Sequence, residues 1–258
     1  MAAEETAHAP QHGGAGPDGT GDAGDVTEVV AAGLHVDVTG AGPTLVLLHG
    51  NGEDALSLAP VAALLGRDHR VLSVEARAHG RSPRGSAPLT ISTMADDVAA
   101  VLAELAPGEA VRVVGYSDGG NVALMLALRH PEVVRSLVVY GANVDPGGLA
   151  PRTRAEVTAA WAALRVRGAV DPVAFVRAEV ADLMVHQPRI PLRALGRITV
   201  PVLVAAGELD VVRPAHTAAI AAHLPAGELR VVEDADHGLP LADPARFEAL
   251  VRELLDRA

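Results

Sequence analysis

A chain of 258 residues, 49% of them hydrophobic, is long enough for one sizeable core, and one large α/β domain suits it better than two small ones. Its formal net charge is −11, and its 21 basic residues are all arginines interspersed with acidic side chains, which leaves no basic footprint for nucleic acid. Cysteine is absent, which excludes disulfides, thiolate metal sites and a cysteine nucleophile.

Residues 1–25 read as a disordered tail, because their glycine-rich composition has no apolar periodicity to offset the entropy of ordering. A G-x-G-x-x-G match at Gly14, Gly16 and Gly19 follows no strand and opens no helix, so it is no dinucleotide signal, and His8 and His12 are tail residues. The N-terminus lacks the basic and apolar regions of a secretory signal, and no apolar run reaches the length of a membrane span. The expectation is a cytoplasmic protein with no membrane partner.

A single domain is predicted over residues 26–258. Val29 to Gly33 and Leu34 to Val38 form a short β pair, the second alternating apolar and polar. Thr44 to Leu48 is a continuous apolar run, as a central buried strand requires. A helix over Leu56–Leu65, a strand over Arg70–Val74 and an amphipathic helix over Met94–Leu105 follow, the last stopped by Pro107 and Gly108. Val111, Val113 and Val114 begin the next strand, Asn121 to Leu128 the next helix, and Ser136 to Tyr140 another strand. From about 143 to 197 the pattern is helical, with helices at Arg152–Arg167 and Pro172–Met184 and no strand. An insertion of that size is expected to sit over one edge of the sheet as a cap, with Trp161 and Phe175 in its core. Strands resume at Val200–Ala206 and Leu229–Glu233, around a helix at Pro214–Leu224, and a helix at Pro244–Asp256 ends the chain. Strands alternating with helices imply βαβ units and a mostly parallel sheet.

The strand at Val111 runs into Gly115-Tyr116-Ser117-Asp118-Gly119, a G-x-S-x-G pattern, and then straight into a helix. Strand, one-residue corner and helix is the context of a nucleophile elbow, whose strained serine needs small residues two positions either side. The alternative is a plain crossover with an incidental serine. A serine hydroxyl needs a base to take its proton, and the base needs an orienting acid. Asp210, in Gly207-Glu208-Leu209-Asp210, and His237, in Asp236-His237-Gly238, each lie just past a strand end, where such sheets present ligand-binding loops. Ser117, Asp210 and His237 stand in the order Ser, Asp, His. Asp145, after the preceding strand, is the alternative acid. An oxyanion hole is offered by His49-Gly50-Asn51-Gly52 after the Leu45–Leu48 strand, with the backbone N–H groups of Asn51 and Asp118 as donors. The Asn51 amide is a possible extra donor.

On these residues, with Arg77-Ala78-His79-Gly80-Arg81-Ser82, the chain resembles the α/β-hydrolase-fold serine hydrolases from about Val26 to its C-terminus. The resemblance implies an eight-stranded, mostly parallel sheet with a cap, and acyl-enzyme chemistry on esters, lactones, thioesters or amides. One departure stands out. The family's D-x-R-G-H-G-x-S segment has Glu75 and Ala78 here in place of Asp and the first Gly, which puts the local turn in question.

The remaining polar residues are read as structural. His49 and His79 belong to turns; His35, His69, His130 and His223 lie at the surface or at element ends. His186 and His216 are surface residues, with an approach to the pocket as the alternative. Asp234 and Asp236 shape the His237 loop, and Asp118 sits in the first turn of a helix, where a carboxylate is stabilised. Nothing calls for a metal or cofactor. The expected activity is hydrolysis of a small carboxylic ester or lactone through an acyl-enzyme. A lyase, cyclase or cofactor-free peroxidase reaction on the same site, or a ligand-binding protein built on this fold, are the competing readings.

Overall fold

The computed structural model describes residues 26–255. The expected tail over 1–25 and its glycine pattern lie outside the described residues, as do residues 256–258. Eight strands, β1 (Val26–Ala31), β2 (Leu34–Thr39), β3 (Thr44–Leu48), β4 (Arg70–Val74), β5 (Val111–Tyr116), β6 (Val134–Tyr140), β7 (Val202–Gly207) and β8 (Gly227–Val232), form one sheet in the order β1-β2-β4-β3-β5-β6-β7-β8. Only β2 is reversed; β3 to β8 pair in parallel. Every residue of β3 and β7 is buried, which is why these strands read as unbroken apolar runs. The outer strand β8 carries Glu228 and Arg230 on a largely exposed edge, a charge pattern that discourages pairing with another chain.

Helices cover both faces. On one, α1 (Ala59–Leu65) meets α7 (Pro244–Leu255) through Val61, Leu65, Phe247, Leu250 and Val251. On the other, α2 (Ile91–Leu105), α3 (Asp118–Arg129) and α6 (Pro214–His223) bury Met94, Val98, Val122, Leu126 and Ile220 against the sheet. The strand order turns around at β3, with β4 on one side and β5 on the other. In parallel sheets the crevice beyond the strand C-termini at such a point is where ligands bind. The loops after β3, β5, β7 and β8 therefore share one edge.

Between β6 and β7 the chain builds α4 (Pro151–Arg167) and α5 (Pro172–His186), followed by a 3-10 turn at Leu192–Arg197. α5 buries Ala174, Ala178, Val180 and Leu183, whereas α4 buries no residue. Trp161 is half-buried, its ring 5.0 Å from that of His186. Phe175, expected in the cap core, is instead 52% exposed.

Two expectations are corrected in detail. The helix expected over Leu56–Leu65 is a 3-10 turn at Ala55–Leu58, capped by Asp54, that hands over to α1, with Pro60 in its first turn. The helix expected from Met94 starts at Ile91, because Thr90 caps it by accepting from the Thr93 N–H at 3.0 Å. The departure after β4 proves to be well held. The carboxylate of Glu75, 1% exposed, accepts from the Arg81 backbone N–H and guanidinium, which also pairs with Asp37. Ala78 sits at φ +64, where the family's glycine would be less strained. A short βα loop thus stays closed around a longer acid.

Candidate active site

Ser117 is the one residue between β5 and α3. It sits at φ 54, ψ −119, a conformation costing a non-glycine residue about 1–3 kcal/mol. Its surroundings hold it there: its N–H donates to the Tyr140 carbonyl at 2.8 Å, and its own carbonyl accepts from Gly120 at 2.9 Å. The small-residue requirement is explicit. A Cβ on Gly119 would collide with the Leu48 carbonyl, and one on Gly115 with the Gly119 backbone.

His237 lies on the loop after β8. Its Nε2 is 3.0 Å from Ser117 Oγ and its Nδ1 is 2.9 Å from Asp210 Oδ1. In the neutral imidazole this arrangement has Nδ1–H donating to the carboxylate and Nε2 accepting from the serine hydroxyl. The Asp210 side chain is 1% exposed and also accepts from the Val212 N–H at 2.8 Å. The His237 loop is anchored by the Tyr140 hydroxyl, which donates to the Asp236 carbonyl at 2.5 Å, and by Asp236 Oδ1, which accepts from Gly238. The Tyr116 ring stands 5.3 Å from the imidazole. Gly141, at φ +65 at the end of β6, makes room for the base: a Cβ there would lie 2.6 and 2.7 Å from His237 ring atoms.

The alternative acid goes elsewhere. Asp145 is exposed, and its carboxylate accepts from the Gly147 N–H at 2.7 Å, capping a 3-10 turn. It is Asp210 that the fold brings to His237.

The loop after β3 crosses in front of the elbow. Among the described residues the backbone N–H groups of Asn51 and Asp118 have no hydrogen-bond partner. The Asn51 amide is not a spare donor. It gives one bond to Asp118 Oδ2 at 2.9 Å and one to the Val180 carbonyl of α5 at 2.8 Å. Asp118 is not simply a carboxylate at a helix start either: it is buried, and burial pushes its carboxyl up despite the amides of Asn51 and Asn121. In the same loop Glu53 accepts from the Gly50 N–H at 3.1 Å, and partial burial raises its carboxyl even though the nearby His237 acts to lower it.

The other histidines divide clearly. His49 is buried; its Nδ1–H donates to the Gly50 carbonyl at 2.8 Å and its Nε2 accepts from Ala76 N–H at 3.1 Å. Burial pushes its imidazole down to about 4, with neighbouring His79 adding to the shift. His69, at the element end before β4, is buried beside Asp68. His216 is half-buried and donates from Nε2 to the Asn143 carbonyl, so it braces the segment after β6 rather than facing the elbow. His186 pairs with Asp182 on the cap. Among the described residues no three His, Asp or Glu side chains gather as a metal ion would need, and no helix is long and apolar enough to cross a membrane.

Some of these residues escape sequence reasoning. The Asn51 amide and the Asn143 and Gly141 positions depend on contacts between distant segments. Asn121 left a trace: it is an amide in an otherwise apolar helical run, and a polar group on a buried face needs partners.

A parallel sheet with a serine corner, a histidine loop and a helical cap defines an α/β hydrolase. The family model for the alpha/beta hydrolase fold matches residues 43–174, and the chain belongs to that family. The chain is similar to the provisionally named carbamate hydrolase RutD of Azorhizobium caulinodans, 34% identical over 158 residues, covering 61% of this chain and 56% of that protein. It is also similar to the pimeloyl-[acyl-carrier protein] methyl ester esterase of Nitrosomonas europaea, 29% identical over 250 residues, covering 84% of this chain and 97% of the relative. Among solved structures it resembles Est816, described as an N-acyl homoserine lactone degrading enzyme, at 26% identity and a TM-score of 0.70, covering 88% of this chain and 99% of that one. The chain thus spans little more than half the length of the first of these relatives and nearly all of the other two.

Proposed function

We propose that this protein is a serine hydrolase that cleaves a small carboxylic ester or lactone through an acyl-enzyme on Ser117. The observation that carries the reading is the continuous chain from Ser117 Oγ through His237 to Asp210, with both links within hydrogen-bond distance. His237 Nε2 takes the hydroxyl proton as Oγ attacks the carbonyl carbon. The oxyanion that forms is held by the N–H groups of Asn51 and Asp118. The imidazolium then protonates the leaving alkoxide, the tetrahedral intermediate collapses, and the alcohol departs. With a lactone the alcohol stays tethered to the acyl group. Water, deprotonated by His237, attacks the ester on Ser117, and the imidazolium returns that proton to Ser117 Oγ as the acid is released. Asp210 fixes the imidazole tautomer and stabilises its charged form.

Ester or lactone substrates are the reading best supported by the relatives, since the Nitrosomonas protein is named for a methyl ester and Est816 for a lactone. The test is hydrolysis of p-nitrophenyl acetate and of a lactone series. Ser117→Ala should lose turnover by about four orders of magnitude or more. Wild-type rates in that variant would overturn the mechanism, and a product that is not the free acid would move the protein to a non-hydrolytic reaction.

A further inference from the structure

The acyl-transfer steps leave unexplained a run of buried amides around the elbow. Asn121 is fully buried, and Asp118 and Asn143 are 4% and 6% exposed. The Asn121 Nδ2 group donates to Asp118 Oδ1 at 3.1 Å and to Asn143 Oδ1 at 2.8 Å, while its Oδ1 accepts from the backbone N–H groups of Asn143 at 3.0 Å and Val144 at 3.2 Å. The other carboxylate oxygen of Asp118 takes the Asn51 amide, which also reaches the Val180 carbonyl. The run therefore joins the loop after β3, the start of α3, the end of β6 and the cap helix α5.

A buried carboxylate is a costly way to pack a helix start, and an apolar side chain would serve folding as well. What the carboxylate does that an apolar group cannot is hold two amides that come from opposite sides. Asn121 is fixed at both ends of its amide. Asn51 stands between Gly50 and Gly52, the latter at φ +74. Within the loop, the Gly50 carbonyl of the peptide that carries the Asn51 N–H accepts from His49 Nδ1 at 2.8 Å and from the Glu53 N–H at 3.3 Å; it is the Asn51 side chain that ties this loop to the start of α3 and to α5.

We propose that Asn51, Asp118 and Asn121 are positioning residues. Their side chains clamp the loop after β3 so that the Asn51 N–H stays beside that of Asp118, and the Val180 carbonyl ties the seating of α5 to the same clamp. The proposal rests on Ser117 being the nucleophile. The clamp touches the oxyanion donors and not the body of the substrate, so its loss slows turnover and leaves ground-state binding in place.

Asp118→Asn is the selective probe. The new amide keeps its volume, turns its oxygen to the fixed Asn121, and sets its NH2 against the NH2 of Asn51. Asn51→Ala breaks the same link from the loop side, where folding is less at stake. Both variants, with Ser117→Ala as control, are assayed as the full chain with p-nitrophenyl acetate, with phenylboronic acid as a tetrahedral mimic, and by amide hydrogen exchange across α5. The expected result is a kcat about ten- to hundredfold lower, the range below loss of a whole oxyanion donor, with KM nearly unchanged. The boronate should bind more weakly by a similar factor, and α5 should exchange faster. Unchanged kcat in Asn51→Ala, or a loss expressed in KM alone, overturns the clamp; unchanged exchange in α5 overturns its link to the cap. If Ser117→Ala stays inactive in those cases, the nucleophile reading survives without the clamp. If Ser117→Ala is fully active, the nucleophile reading fails first.

Discussion

Ser117 lies between two regions held in different ways. Along the sheet edge its partners are fixed by contacts too close to vary: the Gly119 backbone against the Leu48 carbonyl, Gly141 against the His237 ring, and Asp210 buried and hydrogen-bonded twice. Across from it, the cap is loosely held. α4 buries nothing, and Val166, Val170, Val173 and Phe175 are exposed around the turn into α5. Rigidity is thus concentrated around Ser117, His237 and Asp210. The segment between β6 and β7 is held mainly by one helix, α5.

If that contrast is right, changes along the sheet edge should cost far more than changes in the cap. The largest effect is expected from Asp210→Asn, which keeps the shape but removes the charge that sets the His237 tautomer; turnover of p-nitrophenyl acetate should fall by about 10⁴-fold with the fold intact by circular dichroism. Next is Gly141→Ala. Its Cβ pushes on the imidazole and its backbone is strained at φ +65, so a roughly hundredfold loss follows from misplacing the base. Near-normal rates in this variant would mean that the base does not need its present seat.

A smaller effect concerns stability. His49 stays neutral in the folded protein down to about 4, against 6.5 for an ordinary histidine. In that window the unfolded chain binds the proton and the folded one does not, so stability is full above 6.5 and falls as the pH drops toward 4. The loss from this group is about 3 kcal/mol. Asp118, whose carboxyl is raised by burial, works in the opposite sense: its contribution is greatest below the unfolded value and is lost as the pH rises through the folded one. Comparing urea unfolding of wild type and His49→Gln between pH 7 and 4.5 isolates the histidine. Equal slopes for the two proteins would show that His49 is not the buried neutral group. The smallest effect belongs to the cap: Ala163→Gln, on the exposed side of α4, should shift stability by less than about 0.5 kcal/mol and leave turnover alone.

The same contrast explains what could be read from the residues alone. Alternating apolar strands and helices gave away the parallel sheet, and the order Ser117, Asp210, His237 follows from motifs confined to short segments next to strand ends. Local capping shifted element starts by a few residues, as Thr90 does for α2. The clamp was hidden because it joins residues far apart in the chain, as Asn51 does with Val180, and no local pattern reports such a meeting. Phe175 departs from the expected cap core for a related reason: burial is set by what packs over a side chain, and this one is left 52% exposed.

Formation of a covalent acyl group on Ser117 can be followed by rapid-quench mass spectrometry of the protein mixed with excess p-nitrophenyl acetate. One acetyl group is expected on the peptide containing residue 117, formed at the rate of the p-nitrophenolate burst and absent from Ser117→Ala. Steady turnover by the wild-type protein with no acetylated peptide, or an acetyl group lodged on another residue, would contradict it.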